Sequence, residues 1–132
     1  MIQHRQNFSS GAKWEKVVGY SRAVRIGNLV YVSGTTSTGD DGSIVGVGSF
    51  QNQTKQILKN IEKALLSVGA TLEDVVRTRI YVTDITHWEE VGGVHGEIFK
   101  DIRPTTSMIE VKALISPEIL VEIEADAVIT NH

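Results

Sequence analysis

The chain has 132 residues, 13 Lys and Arg against 16 Asp and Glu, and no cysteine. That length supports one domain with one modest core, and the missing cysteines exclude disulfides, thiolate nucleophiles, iron–sulfur clusters and cysteine-bound zinc. A net charge of -3 with the basic residues scattered among acids argues against a nucleic-acid partner, which needs a basic face to neutralise phosphate.

Residues 1–13 are polar and read as a flexible N-terminal segment of a single domain over 1–132. The opening MIQHRQNFSSGAKWEK lacks the apolar centre of a signal peptide. No apolar run approaches the roughly 20 residues of a membrane span. The expectation is therefore a cytoplasmic chain with no membrane partner. Val17 to Ile26 reads as a first strand region, turned at Gly27-Asn28 into Leu29–Ser33, which is apolar and β-branched and ends at Gly34. Residues 35–48, rich in Thr, Gly, Asp and Ser, form a loop, with Asp41-Gly42 as a turn. Ser49 caps a helix on which Phe50, Ile57, Ile61, Ala64, Leu65 and Val68 recur at helical spacing, and Gly69 closes it.

Val75 to Thr83 is the next strand. Thr86-His87-Trp88-Glu89 fits a capping box opening a second helix, with Trp88, Val91, Val94 or His95, Ile98 and Phe99 on one face. Pro104 stops that helix, and strands follow at about 105–113 and 120–129. The order β-β-loop-α-β-α-β-β reads as α+β, with both helices covering one sheet face. In the 75–83 strand, Val76, Thr78, Ile80 and Val82 alternate with Arg77, Arg79, Tyr81 and Thr83. The uncovered face would carry Tyr, Leu, Met and matched charges, an unusual surface to leave in water, so a second or third copy is expected to cover it.

Most motifs dissolve on inspection. Gly46-Val47-Gly48 lacks the third glycine and the parallel βαβ context of a dinucleotide loop. The four histidines have no metal-ligand spacing, and His95 on an apolar helix stripe reads as a packed histidine. No metal site is expected. Glu122, Glu124 and Asp126 share one strand face. The plain reading is ion pairing with Arg77, Arg79 or Lys112, and it fits Glu124 and Asp126 best. Glu122 is the candidate general base or water-positioning acid if that face lines a closed cleft. Tyr20-Ser21, Ser33-Gly34-Thr35 and Thr105-Thr106-Ser107 place further polar groups at strand ends. They either cap backbone or line a small-molecule site, and Gly34 could admit a ligand close to the backbone.

These residues carry a resemblance. Val18-Gly19-Tyr20-Ser21-Arg22-Ala23-Val24, Gly27 to Gly34, Asp74 to Asp84 and Val121-Glu122-Ile123-Glu124-Ala125 resemble, in order and spacing, the YjgF-type or reactive intermediate deaminase (Rid) family. The resemblance implies a chorismate-mutase-like α+β fold and a homotrimer with a central barrel and clefts between subunits. It also implies hydrolysis of 2-imino acids and their enamine tautomers to 2-keto acids and ammonia, without metal or cofactor. It assigns Glu122 to the attacking water, and Tyr20, Ser33 and Gly34 to the pocket.

Three positions depart from the family pattern. Thr106 stands where an arginine grips the substrate carboxylate, Gly92 where asparagine is common, and Thr35 where glutamine is frequent. The first is chemically severe, because a bidentate, permanently charged fork is replaced by one neutral hydroxyl. Arg103, three residues earlier in extended chain, would lie on the opposite face about 10 Å away. Two readings follow: an imine or enamine hydrolase whose substrate lacks a carboxylate, or a metabolite-binding, regulatory trimer without catalysis. A third, action on RNA, is disfavoured by the acidic balance.

Overall fold

The computed structural model describes residues 4–130. They form β1 (Arg5–Phe8), α1 (Lys13–Val18), β2 (Ala23–Ile26), β3 (Leu29–Thr35), α2 (Phe50–Ser67), β4 (Val75–Val82), α3 (Trp88–Phe99), β5 (Thr105–Glu110) and β6 (Val121–Val128). One six-stranded sheet has the order β1-β2-β3-β6-β4-β5. Every pairing is antiparallel except β4 with β5, whose connection runs through α3. The α+β class and the mostly antiparallel sheet under two helices are as expected.

The core lies between the sheet and α2 and α3. Ile57, Leu58, Ile61 and Leu65 of α2 and Val91 and Phe99 of α3 pack on Val30, Val32, Ile80, Val82, Val121 and Ile123. Ser49 caps α2, its Oγ accepting from the Asn52 N–H at 3.0 Å. Gly69, at φ +87°, lets the chain turn off the helix while the Ala70 N–H bonds the Leu65 carbonyl.

Several expectations are corrected. Arg5–Phe8, inside the stretch read as flexible, pairs in register with β2. Residues 17–26 are not one strand region: residues 13–18 are a helical turn and a half closed by Gly19 at φ +87°, and β2 begins only at Ala23. No capping box forms at Thr86. Asp84 accepts from the Thr86 N–H and hydroxyl, heading a 3-10 turn that leads into α3. Val76 leaves the core face because a bulge inserts it: Val75 pairs with Ala127 and Arg77 with Asp126, so Val76 is extruded and 47% exposed. Met108 belongs to the helix-covered face, packed against the core, and not to the outer one. The outer face does present Leu29, Tyr31 and Ile109 to solvent.

Candidate ligand site at Glu122

A second bulge builds the site. Val32 pairs with Ala125 and Thr35 with Ile123, so β3 spends one residue more than β6. The extra residue falls at Ser33-Gly34 and swings the Gly34 backbone over the outer face. There it meets Glu122: a Cβ at position 34 would overlap the Glu122 Oε2 and stand 3.0 Å from its Cδ. Only a residue without a side chain lets the carboxylate lie on the backbone in this way.

The bulge is stapled from both sides. The Ser33 hydroxyl donates to the Ser21 carbonyl at 2.7 Å, the Thr35 hydroxyl to the Ser33 carbonyl at 2.8 Å, and the Arg22 Nη2 to the Gly34 carbonyl at 2.7 Å. The Arg22 guanidinium lies 5.6 Å from the Tyr20 ring centroid. Tyr20, Ser33, Gly34 and Glu122 are thus gathered at one end of the outer face. Thr35 is buried behind them, where it supports the bulge.

Glu122 differs from its neighbours on the same strand face. Asp126 accepts from the Arg79 Nη1 at 3.3 Å, and Glu124 accepts from the Tyr81 hydroxyl at 2.8 Å and lies 3.9 Å from Arg79. Those two are structural, as the plain reading holds, with Arg79 as their partner. The Glu122 carboxylate accepts no hydrogen bond from any described residue. Burial pushes its pKa up; Arg22 pulls it down and Glu124 adds to the rise. A partly buried acid with unfilled acceptor oxygens and a raised pKa can take and return a proton.

Gln53, a polar residue of α2 with no exposure, fixes where β6 starts. Its Nε2 donates to the Glu118 carbonyl at 2.8 Å and its Oε1 accepts from the Leu120 N–H at 2.9 Å, two residues before Glu122. Sequence reasoning missed both Gln53 and the site role of Arg22. Arg22 sits inside the Val18–Val24 motif and Gln53 in no motif, but neither role shows locally, since each acts by reaching across to another segment.

The remaining predicted residues sit elsewhere. Thr106 pairs with Thr78 and Glu122 with Tyr81, so their side chains leave opposite faces of the sheet. The Thr78 hydroxyl donates to the Thr106 Oγ1 at 2.7 Å, and the Thr78 oxygen is 2.9 Å from His95 Nε2. Thr78 has one proton and gives it to Thr106, so His95 must donate from Nε2. His95 is buried, its ring tilted against Phe99 at 4.6 Å, and burial lowers its pKa, which keeps it neutral at pH 7. The Thr106 proton is left free to point outward. Gly92 of α3 faces Met108, two residues along β5 from Thr106: a Cβ there would stand 3.8 Å from Trp88 and 3.9 Å from Met108. Arg103 does not approach Thr106 as extended chain. It adopts φ +54°, and its Nε bonds the Lys100 carbonyl at 3.1 Å. Within one chain the candidates therefore form two half-sites: Glu122 with Gly34, Ser33, Tyr20 and Arg22, and Thr106 with Gly92, Trp88 and Met108.

Comparison with known proteins agrees with this architecture. The family model described as Endoribonuclease L-PSP matches residues 11–129. A crystal structure of a YjgF/YER057c/UK114 family member from Mycobacterium tuberculosis is 58% identical, covering 96% of this chain and 100% of its own, with a TM-score of 0.87. A Rid-family protein of unknown function from Yersinia pestis is 32% identical, covering 96% and 100%, with a TM-score of 0.84. A RutC family protein from Pyrococcus abyssi is 32% identical over 116 residues, 87% of this chain and 91% of its own. With the model spanning nearly the whole sequence and the same sheet and helices recovered in its relatives, this chain belongs to the endoribonuclease L-PSP family, also called YjgF or Rid.

Proposed function

We propose that this protein binds a small imine- or enamine-type metabolite in clefts between copies of the chain, and hydrolyses it to a carbonyl compound and ammonia. The observation that carries this reading is the Glu122 carboxylate, shielded, unpartnered and raised in pKa beside the Gly34 backbone. Glu122 accepts a proton from water as the oxygen adds to the C=N carbon, and delivers it to the nitrogen. The same carboxylate then shuttles the hydroxyl proton of the carbinolamine to its amino group. The C–N bond breaks, ammonia leaves, and the C=O remains.

The two half-sites point away from each other in one chain. A homotrimer that closes the exposed Leu29, Tyr31 and Ile109 face is the arrangement under which the Thr106 half of one copy could complete the Glu122 half of the next. Light scattering should give three times the 14.5 kDa chain mass, and a monomer in dilute solution would remove the cleft.

The test of catalysis is ammonia release from freshly generated 2-iminopropionate and from an uncharged imine. Wild type should exceed buffer on at least one, and Glu122→Gln should fall to background. If wild type matches buffer on both, the hydrolase reading fails. The second reading, a metabolite-binding trimer without turnover, draws on Thr106, whose neutral hydroxyl replaces the family's charged carboxylate clamp. It predicts saturable stabilisation by a metabolite with no ammonia released.

A further inference from the structure

Arg22 has hydrogen-bonding capacity that the fold does not use. A guanidinium carries five N–H donors. One bond, from Nη2 to the Gly34 carbonyl at 2.7 Å, anchors the group at the bulge, and the Nε–H is buried with no acceptor at all. Among the described residues, no other hydrogen bond or ion pair holds it. Two acids, Glu122 and Glu15, feel the Arg22 charge, yet among the described residues no salt bridge joins Arg22 to either. An arginine placed only to neutralise Glu122 would close that gap, because a bidentate carboxylate pair is the strongest contact open to both. Here the cation is tethered to the backbone and kept from its resident anion.

The Thr106 half-site has the opposite character. Thr106 offers a neutral hydroxyl, Trp88, Met108 and Gly92 offer apolar surface and room, and Arg103 is tied back to its own helix end. The cation that the structure sets beside the other half-site, next to Glu122, is Arg22.

We propose that Arg22 is the anion-binding residue of the cleft, holding a carboxylate of the ligand beside Glu122 and directing its apolar end toward the Thr106, Gly92 and Trp88 half-site of the neighbouring copy. This inference rests on the reading that the ligand sits at Glu122. It places a 2-imino or 2-oxo acid among the ligands, against the expectation from Thr106 that the substrate lacks a carboxylate. It does not require turnover.

The experiment is calorimetric binding of pyruvate and of pyruvamide, its uncharged isostere, to the intact wild-type protein and to Arg22→Gln, Arg22→Lys and Glu122→Gln. Wild type should bind pyruvate about 10- to 100-fold more tightly than pyruvamide, the worth of a charge-assisted hydrogen bond. Arg22→Gln should abolish that preference and leave pyruvamide affinity within about threefold. Arg22→Lys should retain part of it, and Glu122→Gln should keep or strengthen it. Equal affinity of wild type for the two probes, or no binding of pyruvate, overturns the proposal. So does an Arg22→Gln loss that falls equally on both, as collapse of the Gly34 bulge would give. If Arg22→Gln does not fold, the wild-type preference and the Arg22→Lys value decide. Arg22-dependent pyruvate binding with no ammonia release in the imine assay would sustain this proposal while sinking the hydrolase reading.

Discussion

Gly34 and Glu122 occupy space that only one of them can fill: the carboxylate of Glu122 rests where a Cβ of residue 34 would be. The φ of Gly34 is not in the left-handed region, so alanine fits the backbone there. The clash is with the end of a flexible side chain, which can rotate away. Gly34→Ala should therefore fold with a stability change within about 1 kcal/mol of wild type, yet displace Glu122 and lower ligand binding or turnover at least tenfold. The double variant Gly34→Ala/Glu122→Gln should be no worse than Glu122→Gln alone, since both changes remove one group from one place. Additive losses, read from melting curves and the imine assay, would show that Gly34 acts by another route.

Glu122 should also cost stability at neutral pH. Burial raises its folded pKa above the ordinary value near 4.5. The folded state then binds its proton more tightly than the unfolded chain. The contribution is fully present below about 4.5 and is lost as pH rises through the folded pKa. Glu122→Gln should melt higher than wild type at pH 8, and the gap should close on acidification toward pH 4.5. A gap that is absent at pH 8, or that widens in acid, contradicts the burial argument.

Thr78 should prove the hinge of the Thr106 half-site. It has no exposure, and its one hydroxyl links His95 to Thr106. Thr78→Val keeps the shape but leaves the His95 Nε2–H buried without an acceptor, at about 1–3 kcal/mol. Urea unfolding should show that loss, with Thr78→Ser retaining most of the stability. Nitrogen-detected NMR of wild type should find His95 neutral and protonated on Nε2. The Nδ1–H tautomer would reverse the direction of the chain and remove the outward proton of Thr106.

How far the sequence carried depends on whether a residue acts through period or through reach. Ile57, Ile61 and Leu65 announce α2 because helical packing repeats every 3.6 residues, and Ser49 announces its start because the cap is local. Helix α1 escaped because Val17 and Val18 lie exposed and give it no inward stripe, and β1 because an edge strand of Arg-Gln-Asn-Phe has no apolar alternation. Val76 lies on the face opposite to the one its alternation predicts because a bulge adds one residue and inverts the parity of the strand. At the site, Glu122, Gly34 and Ser33 stood out by position on their strands. Arg22 and Gln53 did not, because their partners, the carbonyls of Gly34 and Glu118, are 12 and 65 residues away in sequence.

Gln53 shows how much such a residue can matter. It is sealed inside the protein, and besides Glu118 and Leu120 its Nε2 reaches the Gly46 carbonyl at 3.3 Å. One amide thus joins α2, the glycine-rich loop and the approach to β6. Gln53→Leu is close in size but satisfies none of these groups and strands the Leu120 N–H and the Glu118 carbonyl. The expected loss is about 2–4 kcal/mol, more than one neutral hydrogen bond because two partners are left unpaired. The slack should appear first at the start of β6, so amide exchange of residues 119–123 should speed up more than that of β3. Ligand binding should weaken although Gln53 lies outside the site. Gln53→Glu, which keeps the acceptor for Leu120 but loses the donor to Glu118, should fall between. If Gln53→Leu is as stable as wild type, or if exchange quickens evenly along the sheet, Gln53 does not hold Glu122 in place.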